Sequence, residues 1–364
     1  METLPTLWFV LIAVLWTGYL FLEGFDLGIG MLIKLFARNN DERRVLLNTV
    51  GPVWDGNEVW LITAAGATFA AFPLWYASLL SAMYLPLVLV LLGLIFRAVA
   101  FEYRGKVNAH RWRNRWDWAI AVGSFVSAFG IGAALALTTT GLPLNANGDR
   151  VGGPFAWFNG YAVLGGLAVV GFALMHAAAF LMLKTDGEIR LRARSLLRRW
   201  LPVALLPMAI WAAAVAAQYG KAASWLLIVL AAAGAAAAWR FAGQGREGRS
   251  FLAMGVFLVS ASAAIFGSVF PRVLPSTLNH AWDLTISNAS SSPYTLGLMS
   301  IVACFGLPMV LAYQAWTYWV FRKRISAAHL PDQHDVVPAI GTAEFGTADN
   351  RTADNRTAAD GTLG

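Results

Sequence analysis

Cysteine is almost missing from this chain: Cys304 stands alone among 364 residues. One thiol closes no internal disulfide and builds no cysteine metal cluster, and no metal-ligand set is read elsewhere in the sequence. Histidine is nearly as scarce, at 5. His329 and His334 lie near the C-terminal end, His110 in a basic stretch and His280 between apolar runs. Only His176 sits inside an apolar run, so this chain by itself does not complete a site needing two histidines at matched depth. Charge is sparse as well, with 13% charged against 58% hydrophobic residues. A basic n-region is absent from the N-terminus, and its apolar stretch outruns a signal-peptide core, which predicts a retained first span.

What is present is a series of long uncharged runs, the mark of a polytopic membrane protein. At roughly 20 apolar residues per crossing, nine spans are predicted: 6–34, 46–72, 74–96, 118–140, 155–183, 200–219, 222–239, 250–270 and 294–321. A net charge of +7 would suggest nucleic acid in a soluble protein. Here all of the 27 Lys and Arg fall in alternate loops, apart from Arg150, Lys221 and Arg272 on the other side and Arg351 and Arg356 at the C-terminal end. Basic residues so arranged are orientation signals, placing the N-terminus outside and the C-terminus in the cytoplasm, and no nucleic-acid partner is implied.

The expected organisation is a transmembrane helical domain over 1–324: two four-helix bundles, with halves at 1–140 and 155–270, plus one peripheral helix, 294–321. Pro154 reads as the first residue of the fifth helix, and Ser290 to Ser292 as caps for the ninth. After Arg324 the composition turns to Ala, Thr, Asp, Asn and Gly, with Thr347-Ala348-Asp349-Asn350-Arg351 repeated as Thr352-Ala353-Asp354-Asn355-Arg356. Too little apolar surface remains to offset ordering entropy, so 325–364 is expected to be a disordered cytoplasmic tail.

Four carboxylates interrupt the first two runs: Glu23 and Asp26, then Asp55 and Glu58. Counting 1.5 Å per residue from the flanking basic residues puts Asp26 about 12 Å and Asp55 about 16 Å from the inner edge. Glu23 and Glu58 each lie three residues further out, on the same helix face as their aspartates. If the faces meet, two layers of paired acids result. Ionisable groups are costly in hydrocarbon, and sequestered carboxyls are suited to relaying protons. The same residues also serve as packing groups if they merely hydrogen-bond Asn57, Trp indoles or backbone. A helix beginning at Pro52 would move Asp55 closer to the surface, as an entrance group. Gly24, Gly28 and Gly30 around Asp26 suit close helix approach. Arg97, leaving the third span, reads as snorkelling towards headgroups or as a basic rim for an anionic group. His176 reads as a hydrogen-bonded helix contact or as part of a quinone or proton network.

The motifs Gly24-Phe25-Asp26-Leu27-Gly28 and Trp54-Asp55-Gly56-Asn57-Glu58-Val59-Trp60-Leu61 closely resemble subunit II of the cytochrome bd-type terminal quinol oxidases. So do Phe96-Arg97 with Phe101-Glu102-Tyr103-Arg104, Trp112-Arg113-Asn114 with Trp116-Asp117-Trp118, Lys184-Thr185-Asp186-Gly187-Glu188, and the loop from Asn288 to Leu296. The likeness spans 6–324. It implies a multi-pass protein of the bacterial plasma membrane, in a heterodimer with a subunit I that carries two haem b and one haem d, with room for a small accessory subunit. Such a complex oxidises quinol, reduces dioxygen to water, and generates proton-motive force by taking up cytoplasmic protons. Subunit II then supports its partner, supplies a proton route through Asp26 and Asp55 with Glu23 and Glu58, and in some members binds a quinone, ubiquinone or menaquinone. Trp54, Asn57, Trp60, Arg97 and His176 are the expected quinone or haem-proximal contacts, with lipid around them. Some relatives have an amide where Glu58 stands and aspartate where Glu23 stands. From spans and carboxylates alone, a secondary transporter or cation:proton antiporter is the competing reading.

Overall fold

The structure, a computed structural model, describes residues 3–326. It is helical almost throughout: α1 (Thr3–Leu35), α2 (Asn40–Val50), α3 (Trp54–Ala71), α4 (Pro73–Ala82), α5 (Tyr84–Tyr103), α6 (His110–Thr140), α7 (Gly160–Lys184), α8 (Gly187–Tyr219), α9 (Ala222–Gly243), α10 (Glu247–Val269) and α11 (Pro293–Val320). Two short antiparallel strands, β1 (Arg272–Leu274) and β2 (Leu284–Thr285), lie between α10 and α11. Among the described residues, α1 and α5 to α11 are each long and apolar enough to cross a membrane. The pair α3 and α4, bent by 120°, adds a ninth if taken as one broken span.

The expected second and third spans need correction. The run from 46 is not one helix, because α2 stops at Gly51-Pro52. Gly51 N–H still bonds Leu47 O at 2.8 Å and Val53 N–H turns back to Val50 O at 2.8 Å, while Pro52 has no N–H to continue the ladder. The helix restarts at Trp54. Nor is 74–96 one span: α4 ends at Ala82, Met83 breaks the run, and the crossing is made by α5, shifted towards the C-terminus. That shift carries Arg97 from the edge of a span to well inside one.

α1 is the central helix, packed against α3, α6, α7 and α10. Small residues set its approach to its neighbours. A Cβ at Gly28 would collide with the carbonyl of Ala173 and lie 2.5 Å from Cβ of Ala177 on α7. By contrast α11 is peripheral: Leu296 is its one buried residue, and its contacts are with α1 and α3. Its N-terminus is capped by Ser292, which accepts from Thr295 N–H at 3.2 Å, ahead of Pro293. α7 begins later than expected, at Gly160 rather than at Pro154, because Asn159 provides the cap, accepting from the N–H groups of Tyr161 and Ala162 at 2.9 and 3.0 Å.

The basic loops gather at one end of the molecule. Arg38 pairs with Glu188 at 2.5 Å, Arg192 with Glu42 at 2.6 Å, Arg190 with Glu247 at 2.6 Å and Arg324 with Asp186 at 3.0 Å. Lys184 at the end of α7 donates to the carbonyls of Phe321 and Lys323, and Ile325 N–H bonds Lys184 O at 2.8 Å. Chain order therefore runs past Arg324, where the tail was expected to begin; residues 327–364 lie outside the described residues. At the other end Asp283 is buried, 2.6 Å from Arg272 and accepting from Ser276 N–H at 2.8 Å, which ties the β1–β2 segment together.

Candidate functional site

The interior between α1, α3 and α5 is organised by a fully buried arginine. Arg97 Nη1 reaches Glu23 Oε1 of α1 at 2.6 Å and also pairs with the carboxylate of Glu58 on α3. Arg97 and Glu23 are 0% exposed, whereas the Glu58 side chain keeps 20%. A charge removed from water is tolerated only when paired and hydrogen-bonded, so the reading of Arg97 as a snorkelling surface group is overturned. Its guanidinium also lies 5.3 Å over the Phe101 ring, which stacks on Trp54 at 5.2 Å. Trp54 thus backs the arginine at one remove.

One turn along α1, Asp26 is buried beside Asn57, whose Nδ2 donates to Asp26 Oδ2 at 2.7 Å. Asn57 Oδ1 accepts from Gln314 Nε2 and from the Tyr318 hydroxyl of α11, both at 2.8 Å. The expected pairing of Asp26 with Asp55 is not formed. Residues two apart on a helix point about 200° away from each other, so a register that turns Asn57 inward turns Asp55 outward. Asp55 is exposed in the first turn of α3. The layer of paired acids is present only as Glu23 and Glu58, and a guanidinium stands between them.

Trp60 is buried against α1, where a Cβ at Gly18 would lie 2.5 Å from its ring. With Gln314 and Tyr318 it forms the polar-edged wall of an apolar groove of about 850 Å³ between α1, α10 and α11. His176 lies on the α7 side of α1, away from the arginine. Its Nε2 is 2.9 Å from Phe21 O, and its ring stacks between Phe251 and Phe172, with centroids at 4.7 and 4.9 Å. Such surroundings are those of a packing histidine. They do not fit a haem axial ligand pair, since His110 begins α6 and His280 lies in the β1–β2 connection. Among the described residues, no group of three or more His, Cys, Asp or Glu is placed to hold a metal.

Sequence reasoning passed over several participants. Gln314 and Tyr318 were visible only as polar residues within an apolar run. Asp117 of α6 is fully buried, 2.5 Å from Arg104 and 3.3 Å from Arg43, with Arg104 also bonding Asn40 at 3.0 Å. Arg104 caps the C-terminal end of α5, two turns beyond Arg97, so a second charge cluster, with two arginines on one carboxylate, lies between the basic end and the first. Several polar atoms around the Arg97 cluster are buried without a hydrogen-bond partner: the Tyr19 hydroxyl, Asp26 Oδ1, and Arg97 Nε and Nη2.

Comparison with known proteins places this architecture. The sequence model of cytochrome bd terminal oxidase subunit II matches residues 4–321. Cytochrome bd ubiquinol oxidase subunit 2 of Bacillus subtilis (strain 168) is 42% identical over 332 residues, covering 90% of this chain and 98% of the relative. Cytochrome bd-I ubiquinol oxidase subunit 2 of Escherichia coli (strain K12) is 35% identical over 375 residues, covering 89% and 96%. A chain of the bd oxidase from Geobacillus thermodenitrificans shares the fold with a TM-score of 0.70 at 19% identity, over 88% of this chain and 98% of that one.

Proposed function

Since this chain belongs to the cytochrome bd terminal oxidase subunit II family, we propose that it carries protons from the cytoplasmic side towards the oxygen-reducing haem of its partner. It is one subunit of a haem-containing oxidoreductase complex with a subunit 1 partner, and a multi-pass protein of the bacterial plasma membrane. Reduction of dioxygen to water by quinol consumes protons, and drawing them from the cytoplasm generates proton-motive force. The arginine-rich end is the cytoplasmic end by the distribution of Lys and Arg.

Asp55 is the entrance: exposed, in the first turn of α3, just after the Gly51-Pro52 break. Glu58 stands one turn deeper and partly buried, Glu23 lies beyond it across Arg97, and Asp26 one turn from Glu23 on α1. Three carboxyls around one guanidinium leave proton-binding capacity once the arginine is neutralised. The unpartnered Tyr19 hydroxyl and Asp26 Oδ1 supply further hydrogen-bonding positions inside. The observation that carries the reading is this graded series, from an exposed acid to fully buried ones on adjoining helices.

Two haem b and one haem d belong to subunit I in this reading, because the one interior histidine among the described residues, His176, is engaged in packing. When bound there, they supply the electron transfer and oxygen chemistry. A quinone, ubiquinone or menaquinone, suits the groove beside Trp60, Gln314 and Tyr318, whose apolar walls accommodate an isoprenoid chain. The test is Asp55→Asn in the purified complex. Oxygen reduction slows about tenfold or more, within the range of proton-transfer effects, while haem content, read from the reduced absorption spectrum, stays at the wild-type level. Wild-type turnover in the assembled, haem-replete variant overturns the relay.

A further inference from the structure

The arginines of α8 divide into two groups. Arg190 and Arg194 reach Glu247 at 2.6 and 3.0 Å, and Arg192 reaches Glu42 at 2.6 Å. Arg198 and Arg199, one turn further on, are exposed and have no Asp or Glu within ion-pair distance among the described residues; the same holds for Arg240 of α9. These unmatched charges stand beside an apolar groove of about 410 Å³ between α8, α9 and α10, whose lining includes Leu201, Leu205, Ala236 and Trp239.

The end of that groove is fixed by a proline. Pro202 has no N–H, so the carbonyl of Arg198, four residues earlier, lacks its helical donor. Trp239 Nε1 supplies one across the helix pair at 3.0 Å, and the Arg198 guanidinium lies 5.1 Å over the same indole. Trp239 is therefore held by its edge and by its face, with Arg240 following it in sequence. Depth agrees with an interfacial position. From Arg199 to the end of α8 at Tyr219, and from Ala222 to Arg240 on α9, the helices rise about 30 and 27 Å, close to the thickness of the hydrocarbon core. The three arginines thus stand at headgroup level above an apolar furrow.

We propose that this is a binding site for one anionic glycerophospholipid, with an acyl chain in the groove and the phosphate against Arg198, Arg199 and Arg240. A zwitterionic lipid brings its own positive charge and leaves three adjacent cations uncompensated, whereas an anionic headgroup neutralises them. The site lies on α8 and α9, remote from the Arg97 cluster, and does not depend on the proton route.

The test uses the protein purified with its partner subunit in mild detergent, delipidated and titrated with dioleoylphosphatidylglycerol, dioleoylphosphatidylcholine or inorganic phosphate, with bound lipid counted by native mass spectrometry. Wild type retains one phosphatidylglycerol that the R198Q/R199Q/R240Q variant binds at least tenfold more weakly. Phosphatidylcholine does not distinguish the two proteins, and millimolar phosphate does not displace the lipid. Ala236→Phe, which fills the groove and leaves the arginines in place, loses the same lipid and keeps the site testable if the triple variant fails to assemble. Equal phosphatidylglycerol occupancy in wild type and Ala236→Phe, equal retention of the two lipids by wild type, or displacement by phosphate alone overturns the proposal.

Discussion

Asn57 donates from Nδ2 to Asp26 Oδ2 at 2.7 Å while its Oδ1 accepts from Gln314 and Tyr318, so one buried amide joins α1, α3 and α11. Because α11 has little else buried, this amide is a principal tie between the peripheral helix and the core. Replacing Asn57 by Ala strips the partner from a buried carboxyl and from two donors of α11. The expected cost is about 1–3 kcal/mol for the unsatisfied groups, seen as a lower melting temperature of the purified complex. A variant melting with wild type would show that the amide is dispensable.

Arg97 is the residue whose loss should be worst tolerated. Removing one member of a buried ion pair typically costs about 3–5 kcal/mol, because the other charge stays uncompensated. Arg97→Leu alone is expected to abolish assembly, measured as the yield of haem-loaded complex. Combining it with Glu23→Gln restores assembly in part, since the fully buried one of the two stranded carboxylates is then neutral. Turnover of that double variant then separates a relay from a packing role: full activity would leave Glu23 with a structural part only.

Glycines of similar appearance should differ sharply. At Gly28 a methyl meets the Ala173 carbonyl and the Ala177 side chain, while at Gly66 nothing lies within 4 Å. Gly28→Ala must force α1 and α7 apart, at about 1–3 kcal/mol for overpacking. Gly66→Ala is neutral or slightly stabilising through helix propensity. Thermal unfolding of the two variants checks the contrast, and equal melting temperatures would contradict the α1–α7 contact.

Glu42 gives the basic end a pH dependence. Burial pushes its carboxyl up, but hydrogen bonds from Arg192 and from Arg38 N–H at 2.8 Å outweigh that and hold it below the ordinary glutamate range. A carboxyl with a depressed folded-state value stabilises above its unfolded value, about 4.3, and loses that contribution as pH falls through the lower folded value. Glu42→Gln should therefore melt below wild type at neutral pH, with the gap closing on acidification below about pH 4.3. A gap constant across that window would exclude the linkage.

Much of the architecture was legible because membrane insertion writes itself locally. Long apolar runs, Lys and Arg in alternate loops, a capping serine at 292 and small residues along α1 are all signals carried within a few residues. The interior of the site was legible only by residue type. Glu23, Asp26 and Glu58 stood out as acids among apolar neighbours, but Arg97 read as an edge group because nothing local announced the break at Met83. Asp55 read as a partner of Asp26 because helical counting ran unbroken through Gly51-Pro52.

The sequence by itself determined that this is a polytopic helical membrane protein of a recognisable oxidase family, and that acids lie within its first spans, since hydropathy and motif are properties of short stretches. Which acid meets which base was decided by the tertiary structure. A few degrees of helix register and two short breaks choose whether a side chain faces inward, and they turned Asn57 rather than Asp55 towards Asp26 and set Arg97 between Glu23 and Glu58. Such choices depend on how distant helices pack, and the balance of burial against pairing is settled only when those helices meet.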